Sequence, residues 1–107
     1  MITVRLMNEF MHGPVWVCEH GTGIEVDGYP LVLEDPVVSK LNADLGNMFD
    51  SYYFFDDDES FAFDKEKQRQ DKNKTLDLLA KLNRRLAEIN DGTFEVEDLE
   101  TPHVLAL

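Results

Sequence analysis

Three histidines, one cysteine, three serines and a run of four acids are the residues of this chain whose chemistry could go beyond packing. His12, His20 and His103 lack the i, i+4 or short-loop spacing that brings two imidazoles onto one zinc ion, so they read as isolated turn or surface residues. Asp56-Asp57-Asp58-Glu59 has the carboxylate density of a calcium loop without its pattern. An EF-hand loop starting at Asp56 needs Gly at its sixth position and Glu at its twelfth, where this chain carries Phe61 and Lys67. Cys18 has no basic neighbour to activate it and reads as a packing residue. Ser39, Ser51 and Ser60 lack the flanking glycines of a nucleophile elbow, and Gly21-Thr22-Gly23 is too short to cradle a phosphate. No catalytic residue, cofactor or metal is therefore expected, and the chain reads as a non-enzyme.

What remains is chemistry for gripping. Seven of the eleven aromatic residues fall between Phe49 and Phe63, and the four consecutive acids lie among them. Rings supply large, stiff contact area at low entropic cost, while carboxylates accept strong hydrogen bonds from Arg and Lys. Asp56, Asp57, Asp58 and Glu59 are the expected ion-pairing residues. Tyr53, Phe54, Phe55 and Phe61 are the expected ring contacts, whereas Phe49 and Tyr52 fit the inner face of a helix and count as core. Glu25, Asp27, Glu34 and Asp35 are placed to extend the acidic surface.

A chain of 107 residues makes one domain, residues 1–107, with room for a single modest core. Its net charge of −12 repels nucleic acid and anionic membrane and attracts basic proteins. The charge is uneven. Residues 1–60 hold twelve acids against Arg5 and Lys40, whereas all eight bases of the remainder lie between Lys65 and Arg85. A lone cysteine suits a reducing compartment, and the first residues lack the basic start and apolar run of a signal peptide. No stretch approaches the roughly 18 apolar residues of a membrane span. The cytoplasm is the expected location.

The elements that must position the cluster are legible in the patterning. Ile2, Val4 and Leu6 alternate with Thr3 and Arg5 as a strand with one buried face, His12-Gly13-Pro14 turns the chain, and Val15–Cys18 returns antiparallel. Ile24–Val26 reads as a short third strand. Asp35-Pro36 starts a helix, capped by the carboxylate, in which Val37, Leu41, Leu45, Met48, Phe49 and Tyr52 recur at three- and four-residue steps. Gly46 inside it costs about 1 kcal/mol relative to Ala. Phe54 to Phe63 reads as a loop, because adjacent acids repel one another. Asp64 caps a second helix whose first ten residues are wholly polar and exposed, and whose stripe of Leu76, Leu79, Leu82, Leu86 and Ile89 packs. Asn90-Asp91-Gly92 ends it with a left-handed cap. Residues 93–99 form a last strand, with a place beside the first, and Pro102 onward is a tail apolar enough to dock. The expected fold class is α+β, a small antiparallel sheet with two helices packed on one face.

Val4-Arg5-Leu6-Met7-Asn8-Glu9-Phe10, followed by Pro14-Val15-Trp16-Val17, resembles the opening of a group of small acidic bacterial proteins. In these a strand ends in Glu plus an aromatic, and a Pro-apolar-Trp strand follows. The later layout is also similar, with a helix, an acidic aromatic loop at Tyr52–Glu59, a long charged helix and a closing strand at Phe94–Glu97. Small acidic proteins of this build are similar to the immunity proteins of bacterial toxin systems, including contact-dependent growth inhibition.

That resemblance implies a protein that binds the cytotoxic C-terminal domain of a large effector, often a basic nuclease, and neutralises it by stoichiometric occlusion. The partner is then a basic toxin domain, with no direct nucleic-acid or membrane contact. Two further readings stay open. A nucleic-acid mimic that inhibits a DNA-binding protein would carry carboxylates spaced like phosphates, about one charge per 1.7 Å of duplex axis; here the acids cluster and the Lys65–Arg85 segment interrupts them. A small regulatory subunit would use the polar helix start and the apolar tail as docking elements.

Overall fold

The computed structural model describes all residues from Met1 to Leu107. Alternation at the N-terminus yields β1 (Ile2–Leu6) and β2 (Val15–Glu19), paired antiparallel with Val4 opposite Val17 and Leu6 opposite Val15. These side chains point to one face of the sheet and are buried, as expected from the period of two. Residues 24–26 make less than a strand. A single bridge joins Glu25 to Cys18, flanked by Glu19 N–H to the Ile24 carbonyl and Val26 N–H to the Val17 carbonyl. Leu31-Val32-Leu33 lies in a one-turn helix, α1 (Pro30–Leu33), with Pro30 at its start.

Helix α2 (Pro36–Asp50) begins as its sequence dictates, with the Asp35 carboxylate accepting Val38 N–H at 2.9 Å. Val38, Leu41 and Leu45 are its buried face. The second expected helix is two. Asp64 caps α3 (Lys65–Gln70) by accepting Lys67 N–H, and Asp71 then leaves helical geometry before α4 (Lys72–Ile89). The break coincides with a tertiary tie, because Asp71 accepts the Tyr52 hydroxyl at 3.0 Å. Helix α3 buries no residue, whereas α4 buries Thr75, Leu79, Leu82 and Leu86.

Strand β5 (Phe94–Asp98) lies beside β1, and the sheet order is β2-β1-β5. The fold is α+β, but the sheet is mixed rather than antiparallel throughout, since β5 runs parallel to β1. The reason is the connection. A parallel neighbour needs a long crossover, and the helices supply it, returning the chain so that Thr93 accepts the N–H of Ile2. Helices α2 and α4 pack on the Val4–Leu6 face, and thirteen buried side chains from both layers form one core. The tail is helical, α5 (Glu100–Leu105), and docks through Val104. No helix is long and apolar enough to cross a membrane.

Candidate partner-binding surface

The segment expected as a loop is a β-hairpin. Strands β3 (Tyr53–Phe55) and β4 (Phe61–Phe63) pair with each other and with no strand of the main sheet. Aromatic residues favour pleated pairs, and the repelling acids are confined to the turn. Tyr53 lies opposite Phe63 and Phe55 opposite Phe61, so four rings share one hairpin face. Phe54 and Ala62 take the other. Hydrogen bonds from Asp64 N–H to the Tyr52 carbonyl and from Asp56 N–H to the Ser60 carbonyl flank these ring pairs. The ring pairs thus occupy the non-hydrogen-bonded sites, where cross-strand side chains come closest.

The root of the hairpin is anchored and its tip is not. Phe63 meets Tyr53, Phe49 and Tyr52 at centroid distances of 5.0, 5.8 and 5.8 Å. Tyr53 stacks on Phe61 at 5.1 Å with ring planes 14° apart. Tyr52 is buried, while Phe49, Tyr53 and Phe63 are half-buried. Farther out, Phe54, Phe55 and Phe61 remain 44%, 72% and 53% exposed.

The four acids divide by role. One Asp56 carboxylate oxygen accepts the N–H groups of Asp58 and Ser60, at 3.0 and 2.9 Å, and so builds the turn. Asp57, Asp58 and Glu59 are exposed and form no ion pair within the chain. Glu59 has φ of 59°, the left-handed position that hairpin loops of this length normally give to glycine.

Sequence reasoning missed the contribution of the β1–β2 turn. The Phe10 ring sits 4.6 Å from Tyr53 and 5.4 Å from Phe61, extending the aromatic face beyond the hairpin. Met11 beside it is 79% exposed with φ of 64°, and its N–H is held by the Asp50 carboxylate at 2.9 Å. The available signal was Phe10-Met11, apolar residues continuing past a strand into a turn. Met11 and Glu59 are the chain's two non-glycine residues with positive φ. Both belong to this surface.

The outlying acids do not join it equally. Asp35 is spent on capping α2 and on a bidentate pair with Arg85, at 2.6 and 3.0 Å. That guanidinium, and to a lesser extent the Val38 N–H, holds the Asp35 carboxyl down at about 2 against the competing effect of burial. Glu25 lies 3.4 Å from His12 Nε2, while Asp27 and Glu34 are exposed.

The histidines are dispersed. His12 stacks on Trp16 at 3.5 Å on the open face of the sheet, and His103 lies 3.3 Å from the buried Glu100. Thr3, His20 and Glu95 form a compact polar trio. His20 Nδ1 is 3.2 Å from the Thr3 hydroxyl and 2.6 Å from Glu95. A proton relay needs one imidazole nitrogen toward the hydroxyl and the other toward the acid; here Nδ1 serves both, which makes a structural clasp between β1 and β5. No group of three or more His, Cys, Asp or Glu side chains is arranged to hold a metal ion. Comparison with protein-family models, with curated proteins and with solved structures returns no match to the chain.

Proposed function

We propose that this protein is a stoichiometric binder that occludes a basic partner with its aromatic and acidic hairpin, and that it acts as an immunity protein in the bacterial cytoplasm. The partner in this reading is the cytotoxic C-terminal domain of an effector, of nuclease type. The observation that carries it is the arrangement at the hairpin tip, where exposed Phe54, Phe55 and Phe61 adjoin the unpaired Asp57, Asp58 and Glu59. Rings of this kind fill pockets at the centre of an interface, and rim carboxylates speed encounter with a basic surface.

Backbone conformation supports the same surface. A non-glycine residue in the left-handed region costs about 1 kcal/mol, and such costs gather at binding sites. Both instances in this chain, Met11 and Glu59, lie where the apolar and acidic groups are presented. Nucleic-acid mimicry draws less support, because the free carboxylates sit at one turn rather than along an extended ridge.

Affinity capture from cells making the protein at about 0.1 M and 0.5 M salt, where screening differs strongly, tests the reading. One stoichiometric partner that is a basic, effector-terminal domain is expected. Several unrelated DNA-binding proteins lost together at the higher salt would replace it with mimicry. Dimerisation of the isolated protein with no captured partner would favour a regulatory subunit.

A further inference from the structure

At the hairpin root, on the face that carries the Tyr53 and Phe63 rings, lies a cleft of about 360 Å³. Phe49, Tyr53 and Phe63 form its apolar wall, an aromatic triangle with centroid separations of 5.6, 5.0 and 5.8 Å. All three rings are half-buried. The rest of the lining is Lys65, Gln68 and Arg69 of α3, with His103 of α5 and Leu107. Lys65 and Arg69 are one helical turn apart and so lie on one face of α3.

The side-chain charge in the cleft runs against that of the protein. In a chain of net charge −12, no acidic side chain lines this opening, and the main-chain oxygen of Leu107, which also lines it, is held by Lys72 Nζ at 3.2 Å. Lys65 makes no ion pair, and Arg69 has only a 3.8 Å contact with Glu66. Small-molecule sites of about 300 Å³ and upward pair a mostly apolar wall with a few polar groups that fix orientation. A guanidinium beside an ammonium suits a carboxylate, which Arg can bind through two parallel hydrogen bonds.

We propose that this cleft binds a small planar apolar carboxylate, with its ring against the Phe49–Tyr53–Phe63 triangle and its carboxylate held between Lys65 and Arg69. A free aryl acid and a peptide ending in an aromatic residue share this chemistry. Because Tyr53 also stacks on Phe61, an occupant would brace the hairpin root.

The test is a titration of the isotope-labelled full chain by NMR with indole-3-acetate, with indole-3-acetamide as the uncharged counterpart. Saturable shifts are expected at residues 65–69 and at the Tyr53 and Phe63 rings, with a midpoint on the order of 1 mM. The amide is expected to bind at least about tenfold more weakly, as is the acid to the Lys65→Gln/Arg69→Gln double variant. Both positions are exposed on a helix that buries nothing, so the variant retains its fold, and its circular dichroism checks this. A Gly-Gly-Phe tripeptide with a free carboxylate separates the sources. Tighter binding than indole-3-acetate assigns the cleft to a peptide terminus, and weaker binding assigns it to a free acid. Absence of saturable shifts up to about ten times the expected midpoint overturns the proposal, as does equal binding of acid and amide or identical shifts with acetate alone.

Discussion

A methyl group built on Gly46 would stand 3.0 Å from the Cα of Gly13, so helix α2 and the β1–β2 turn meet backbone to backbone. Gly13 is held in place from the other side. Its φ is +87°, and a Cβ there would meet the Asn42 side chain at 2.7 Å. The Asn42 carboxamide oxygen also accepts the N–H of Val15 at 2.9 Å, fixing the start of β2. Helix propensity alone predicts that Gly46→Ala stabilises by about 1 kcal/mol. The contact reverses the sign, because a buried backbone must shift to admit the methyl. A net loss of about 1 kcal/mol or more is expected, read as a lower urea midpoint at unchanged slope. A raised midpoint would show that the turn relaxes freely.

Asp35 and Arg85 make the fold sensitive to strong acid. The Asp35 carboxyl titrates near 2 in the folded chain against an ordinary value of 3.8, chiefly because Arg85 hydrogen-bonds its charged form. A depressed folded value means that its stabilisation is complete above pH 3.8 and is lost as pH falls through about 2. With Arg85 partly solvated, the contribution is on the order of 1 kcal/mol. The stability difference between wild type and Asp35→Asn should therefore be constant above about pH 5 and shrink between pH 4 and 2. A difference that stays flat through that window would remove the ion pair from the account.

Tyr52 sets the alkaline limit. Burial, reinforced by its hydrogen bond to Asp71, pushes the hydroxyl up to about 12 from 10.0. The protonated form is the one the fold favours, so this contribution is complete below pH 10 and is lost as pH rises toward 12. Tyr52→Phe is expected to cost about 1 kcal/mol at neutral pH and to flatten the stability profile above pH 10. Phenolate absorbance of wild type minus variant should place one tyrosine at the high end of the titration.

Parts of the fold were legible because local signals agreed with the tertiary result. Asp35-Pro36 capped α2, Asp64 capped α3, and the three- and four-residue spacing of Leu79, Leu82 and Leu86 became the packed face of α4. The hairpin was not legible. Its strands are three residues each, too short to display alternation, and its turn holds neither Gly nor Asn. The Asp71 break lay in polar sequence whose deciding partner, Tyr52, is distant along the chain. The direction of β5 depends on the crossover rather than on Phe94–Asp98. Of the surface, Tyr53, Phe54, Phe55 and Phe61 were named from composition alone, while Phe10 and Met11 required the fold to bring the β1–β2 turn to the hairpin.

The aromatic cluster should separate into anchoring and presenting rings. Phe63 touches three neighbours and is half-buried, so Phe63→Ala is expected to destabilise by about 2–3 kcal/mol. Phe55 is 72% exposed with one ring contact, to Phe61, and Phe55→Ala is expected to change stability by less than about 0.5 kcal/mol. Under the proposed function the order inverts for binding. Phe55→Ala should weaken capture of the partner by about 2 kcal/mol, expressed mainly in a faster off-rate. Chemical denaturation and surface-based kinetics on the same variants check both halves. Loss of stability in Phe55→Ala, with binding unaltered, would move the ring from the interface to the fold.

The strained acid at the turn gives the sharpest division between folding and binding. Glycine relieves the left-handed conformation at position 59, so Glu59→Gly should raise stability by about 0.5–1 kcal/mol. The same change removes one of three unpaired carboxylates and should slow association with a basic partner, most clearly at low salt. Asp56→Ala should have the opposite effect on stability. It deletes the acceptor of the Asp58 and Ser60 N–H groups, so the hairpin loosens and stability falls by about 1 kcal/mol. Opposite stability changes at two neighbouring acids, with slower partner association only partly tracking them, would identify Asp56 as the residue that builds the turn and Glu59 as one the turn presents. Parallel changes in both quantities at both positions would mean that the four acids act as an undifferentiated charged loop.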